Sequence, residues 1–167
     1  MAGKILTSLP PDIEEKLLMF TNNLRKLGVT HIGHGLIVKS VKPTAFFSCK
    51  DWAQKYDDED LVSRDPVRAC ALNSNFKIVP WEYIPSNKEQ KPILEERKRE
   101  FCAKTGLLIS IKHPQFHETF VFGTDSNKYD ITHFFNKNSD VFVENLLLFR
   151  KEHMRYYFSN PDGDAKQ

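Results

Sequence analysis

A chain of 167 residues, 40% hydrophobic and 28% charged, is long enough to bury one core and too ordinary in composition to be fibrous or low-complexity. Its 24 basic and 22 acidic residues leave a net charge of +2, which excludes binding a polyanion by bulk charge alone. No apolar run approaches the roughly 20 residues of a membrane span, the N-terminus lacks an apolar signal core, and three cysteines without metal-like spacing read as reduced thiols in a cytoplasmic protein.

The first element is a helix over residues 12–27, where Ile13, Leu17, Phe20, Leu24 and Leu27 recur every three or four positions. Asp12 stands where an N-cap belongs, Glu14 and Glu15 fill the first turn, and Gly28 stops the helix. The segments VTHIGHGLIVK and TAFFSCK follow as two strands around a turn near Pro43. Residues 50–72 read as short helices joined by an acidic loop. After Trp81 and a loop containing Pro85, a helix extends to about Lys104 with Pro92 in its first turn. Three β-like segments come next, GLLISIKH, HETFVFG and KYDITHFF, with Pro114 and GTDSNK as punctuation. A final helix covers about Asp140 to Phe158, capped by Ser139 or Asp140.

This order predicts an α/β fold: an α-β-α sandwich with a five-stranded antiparallel sheet flanked by helices, of the PAS/GAF-like sensor kind. It lacks the βαβα alternation of a dinucleotide-binding fold. One sensor domain is expected over residues 1–160, with 161–167 as a linker or frayed tail.

The chemistry concentrates in KDWAQKYDDEDLVSRDPVRACAL, residues 50–72. Asp65-Pro66-Val67 has the form of a helix start, with Asp as N-cap and Pro at the first helical position. Trp52 and Tyr56, four residues apart, share a helix face and can be ordinary core neighbours. The same three side chains can instead recognise a carbonyl beside an amide N–H: the indole donates and the carboxylate accepts. A fatty chain on such a guest would add about 0.8 kcal/mol per buried methylene. Spacing alone does not choose between the two readings.

The run W-x3-Y-x8-D-P-V, followed by Trp81 and by a glycine opening a strand, resembles the autoinducer-binding domain of LuxR-type quorum-sensing transcription regulators. Trp52, Tyr56, Asp65, Pro66, Trp81 and Gly106 match the hallmark positions, and the order of elements agrees over roughly residues 10–160. The resemblance implies an N-acyl homoserine lactone as the ligand, with Trp52 donating to the lactone carbonyl and Asp65 accepting from the amide. It implies that Tyr56 and Trp81 line the pocket, and that Gly106 permits close packing at a strand start. Two features depart from the pattern. Ser48 stands where a tyrosine usually holds the acyl carbonyl, and the position of a small hydroxyl residue falls near Phe122 or Gly123. The helix-turn-helix domain through which such regulators read DNA is expected to be absent from this chain.

Neither His31/His34 nor His113/His117 makes a metal site: residues three apart on a strand face opposite ways, and no cysteine is spaced to join either pair. The cysteines lack a histidine partner in any motif, no nucleophile-elbow or phosphate-loop pattern occurs, and neither enzymatic activity nor a cofactor is expected. EERKRE, residues 95–100, reads as the solvated face of its helix, and the aromatic-rich last helix reads as core with a dimer interface as the alternative. Two functions follow. One is a ligand-sensing domain, a homodimer or a heterodimer with a related regulator. The other is a stand-alone interaction module that binds no ligand and pairs with a full-length regulator.

Overall fold

The computed structural model describes residues 9–39, 42–73, 75–125 and 131–159. The expected tail at 161–167 and the second half of the GTDSNK turn lie outside the described residues.

The first helix, α1 (Pro11–Arg25), buries Ile13, Leu17, Phe20 and Leu24, the stripe its spacing announces. Its N-cap is Pro10; Asp12 sits in the first turn and pairs instead with Arg155. Gly28, at φ +95°, turns the chain into β1 (Val29–Val38), and β2 (Thr44–Phe47) follows. Two short helices come next, α2 (Lys50–Asp58) and α3 (Pro66–Leu72), then β3 (Phe76–Pro80). Helix α4 (Lys91–Glu100) leads to β4 (Thr105–Lys112) and β5 (Phe116–Thr124). Helices α5 (Ile131–Lys137) and α6 (Ser139–Ser159) close the order.

The five strands form one antiparallel sheet in the order β2-β1-β5-β4-β3. Alternation along the strands divides the side chains between two cores. Ile32, Phe46, Leu107, Ile109, Phe120 and Phe122 meet residues of α1, α5 and α6. Ala45, Leu108 and Val121 meet residues of α2, α3 and α4. The architecture is the predicted α-β-α sandwich, with two of its elements reassigned.

KYDITHFF does not supply the fifth strand: Ile131–Lys137 is α5, and Ile131, Phe134 and Phe135 have helical rather than alternating spacing. The fifth strand is β3, a five-residue edge strand ending at Pro80 that pairs only with β4, a place where proline is tolerated. Helix α4 also ends before Lys104. Ala103 N–H donates to the Lys98 carbonyl, and Cys102 takes a left-handed conformation at φ +48°, a helix-closing turn usually made by glycine.

The α6 side of the sheet holds a buried polar chain. Glu118 of β5 accepts from Arg150 Nη2 at 2.5 Å and meets His34 Nε2 at 2.9 Å. His34 Nδ1 lies 2.9 Å from His153 Nδ1, His153 Nε2 lies 2.7 Å from the Thr44 hydroxyl, and Tyr157 closes the line at 2.8 Å. Burial alone would raise the Glu118 pKa, but the hydrogen bond and charge of His34, then those of Arg150, outweigh it and hold it at about 2. Burial, and then the neighbouring His34, push His153 well below the usual histidine range. His31, on the opposite face, is lowered by burial and then by Arg97 and Arg25.

Acid should therefore weaken the fold in two stages. The unfolded chain protonates its histidines near 6.5, whereas folded His31 and His153 resist. Their contribution is complete above that pH and falls below it by up to about 1.4 kcal/mol per pH unit per histidine. Glu118, ordinarily near 4.5 and held here at about 2, adds a further loss between those values. Urea unfolding midpoints measured from pH 8 to 4 should decline from about 6.5 downward; a flat profile between pH 7 and 5 would contradict the buried neutral histidines.

Candidate functional site

Asp65 caps its helix as its sequence context predicts, and its second oxygen is held by other side chains of the protein. Its backbone sits at the N-cap of α3, and its Oδ1 accepts the Val67 N–H at 2.9 Å, with Pro66 at the first helical position. Its Oδ2 points the other way. There it accepts the Tyr56 hydroxyl of α2 at 3.0 Å and Nη2 of Arg97 from α4 at 2.6 Å. Both members of the ion pair have side chains only 3% exposed. Burial, followed by the charge of Asp65, raises the Tyr56 hydroxyl well above its usual range, so it stays a donor. The Arg97 guanidinium also lies over the Trp52 ring, 5.1 Å from its centroid. One carboxylate thus ties three helices together.

This cluster forms the polar end of a chamber of about 50 Å³ between the sheet and helices α2, α3 and α4. Gly33 and Gly35 of β1 lie on its floor, and the absence of two side chains on one face of an interior strand creates the space. Ala45, Leu108 and Val121 supply apolar wall, Thr119 a hydroxyl, and Arg68 a second guanidinium.

The expected site residues take different places. Asp65 and Tyr56 line the chamber. Trp52 and Trp81 are fully buried beside it rather than on its wall, and Phe101 stands between them. The Phe101 ring meets Trp52 edge-on at 5.4 Å, lies 6.5 Å from Trp81, and stacks on His31 at 3.2 Å. Trp81 lies across a cross-strand glycine pair, Gly106 and Gly123, and a Cβ on Gly106 would fall 2.1 Å from the indole. Neither indole N–H finds a hydrogen-bond partner among the described residues. Ser48 lies away from the chamber, on an open groove shared with Cys49, Phe101 and Cys102. Its oxygen accepts from Ile32 N–H at 3.0 Å and lies 3.2 Å from His31 Nδ1. His31 and His34 do face opposite sides of the sheet, one toward Phe101 and the other toward His153.

Sequence reasoning missed Arg97, Arg68, Thr119 and the two floor glycines. EERKRE is not wholly a solvated face, because Arg97 is buried. Its signal was present: Arg97 follows Ile93 by four residues and precedes Phe101 by four, on the buried side of α4. The alternation G-H-G in β1 likewise marked two glycines on one face.

No protein-family model matches the chain, and no curated protein matches it in sequence. Solved structures match its fold. The SdiA structure from Escherichia coli aligns at a TM-score of 0.57 and 16% identity, over 86% of this chain and 63% of SdiA. CepR2 from Burkholderia cenocepacia, described as an N-acylhomoserine lactone-dependent LuxR-family transcription factor, aligns at 0.58 and 11% identity, over 82% and 90% of the two chains. The VqsR ligand-binding domain from Pseudomonas aeruginosa aligns at 0.58 and 12%, over 83% and 92%. The chain therefore spans less than two thirds of SdiA and nearly all of the VqsR domain. It has the fold of LuxR-type autoinducer-binding domains. Among the described residues, no helix is long and apolar enough to cross a membrane.

Removing Asp65 should be costly, since it strands a buried guanidinium: Asp65→Asn is expected to lose about 3–5 kcal/mol in denaturant unfolding. The double variant Asp65→Asn/Arg97→Met should recover much of that loss, and additive losses would argue against the pair as a coupled unit. Gly106→Ala forces the Trp81 ring off the sheet and should cost about 1–3 kcal/mol as overpacking; an unchanged unfolding midpoint would mean that the indole has room to move.

Proposed function

We propose that this chain is the ligand-sensing domain of a LuxR-type transcription regulator, acting by binding rather than catalysis. The signal is a small amphipathic molecule with an acyl chain and an oxygen-bearing head, the class to which N-acyl homoserine lactones belong. The observation that carries the reading is the chamber between sheet and helices, with glycine floor, apolar walls and one polar end at Tyr56, Asp65 and Arg97. Such a combination of apolar enclosure and a few convergent polar groups is the usual form of a small-molecule site. Trp81 is assigned a neighbouring structural role, and Ser48 a place outside the acyl path. The reading carries with it a cytoplasmic location and pairing with a second regulator chain.

A second reading draws on the small size of the chamber and the internal pairing of Asp65. A domain that already neutralises its own carboxylate holds its shape without a guest and can serve as an interaction module. Val143, Leu147 and Phe158 of α6 expose apolar surface that a partner regulator would cover.

A thermal-shift series separates the two. A ligand at a hundred times its dissociation constant adds about 2.7 kcal/mol of stability. Acyl homoserine lactones of increasing chain length and their ring-opened and deacylated analogues form the panel. Stabilisation by any member, abolished when Val121→Phe fills the chamber, supports sensing. A panel that leaves the melting point unmoved, together with a heterodimer in native mass spectrometry, supports the interaction module.

A further inference from the structure

The polar end of the chamber is rich in donors and short of acceptors. Asp65 is the carboxylate among the described residues that line it, and three donors already converge there: Val67 N–H, the Tyr56 hydroxyl and Arg97. A carboxylate has about four acceptor positions, so roughly one is left. Two of the lining side chains carry unpartnered buried atoms, and both are donors: Nε of Arg97 and Nε of Arg68. Arg68 spends one further N–H on the Val62 carbonyl at 3.2 Å. Thr119 offers a hydroxyl of either polarity. A guest bringing an amide N–H meets little to receive it, whereas a guest bringing two oxygens meets several idle donors.

Charge points the same way. Arg97 is buried and matched by Asp65, whereas Arg68 is half-buried and has no ion-pair partner among the described residues, so an anion in the chamber would be its counter-charge. The two oxygens of a carboxylate match the planar fork of a guanidinium. Size sets the rest: about 50 Å³ holds only some three to five waters, and the apolar wall at Leu108, Val121 and Ala45 suits a short alkyl chain.

We propose that the chamber takes a short-chain carboxylate, its carboxylate group on the idle guanidinium N–H groups of Arg97 and Arg68 and its alkyl chain along β4 and β5. The proposal rests on the sensing role above and names the class of signal. Asp65 is then the partner that fixes Arg97 in place, and the anion is recognised by the arginines.

Isothermal titration and thermal shift with butanoate, hexanoate and octanoate test it, beside their methyl esters and the N-butanoyl and N-octanoyl homoserine lactones. The expected result is acid binding at least tenfold tighter than the matched ester, strongest for the shorter chains. Arg68→Met should reduce the acid-over-ester preference, and Val121→Phe should abolish binding of both. Lactones or esters binding as tightly as the acids would overturn the carboxylate assignment and leave the sensing role standing. No binding by any of the three series to folded protein would overturn both. Acid binding with the same affinity and the same preference in Arg68→Met would remove Arg68 from the site and with it the proposal.

Discussion

The ion pair between Asp65 and Arg97 is the constraint around which the chamber side of the sheet is arranged. Neither partner tolerates solitary burial, because an unpaired charge in that setting costs several kcal/mol. The pair therefore requires α3 and α4 to approach each other, and the Tyr56 hydroxyl brings α2 into the same contact. The N-cap bond to Val67 aims one carboxylate oxygen into the helix and leaves the other facing Arg97. The residue that starts a helix is thus also the residue that joins three of them. Arg97 in turn lies over Trp52, so the buried indole is positioned by the same carboxylate at one remove.

Absent Cβ atoms shape the sheet at two places with opposite results. Gly106 and Gly123 face each other across β4 and β5, and Trp81 fills the hollow with its ring. Gly33 and Gly35 lie on the same face, toward β2, and there the hollow stays open as the chamber. Phe101 separates the two regions, packed between Trp52, Trp81 and His31. The aromatic half is filled by its own rings, and the glycine-floored half is left open. The sheet's other face is packed with rings: Phe120, Phe122, Phe142 and Phe149 are fully buried there.

The buried polar chain on that second face gives α6 a fixed seat. Glu118, His34 and Thr44 come from three strands, while Arg150, His153 and Tyr157 come from one helix at spacings of three and four. Each bond satisfies a group that burial would otherwise penalise. The two faces meet in β1, where His31 and His34 point to opposite sides of one strand.

Several features were legible in the sequence because they depend on local periodicity. The α1 stripe, the β1 and β2 runs, the Asp-Pro helix start and the last helix, which begins one residue before the expected Asp140, all follow from side-chain spacing and capping chemistry. The six-residue resemblance was legible as well, as a match of residue identities in order, and the fold brings its members to one side of the sheet. Only the tertiary structure decided that Arg97 lines the chamber, that Ser48 faces another groove, that Trp52 and Trp81 sit behind the wall, and that the fifth strand is β3. The reason is physical. Periodicity reports which face of an element is buried, but a charged side chain on that face looks like a solvated one until its counter-ion arrives from a segment 32 residues away. Likewise, a cavity is a property of residues that meet across strands and helices, and no single stretch of chain contains it.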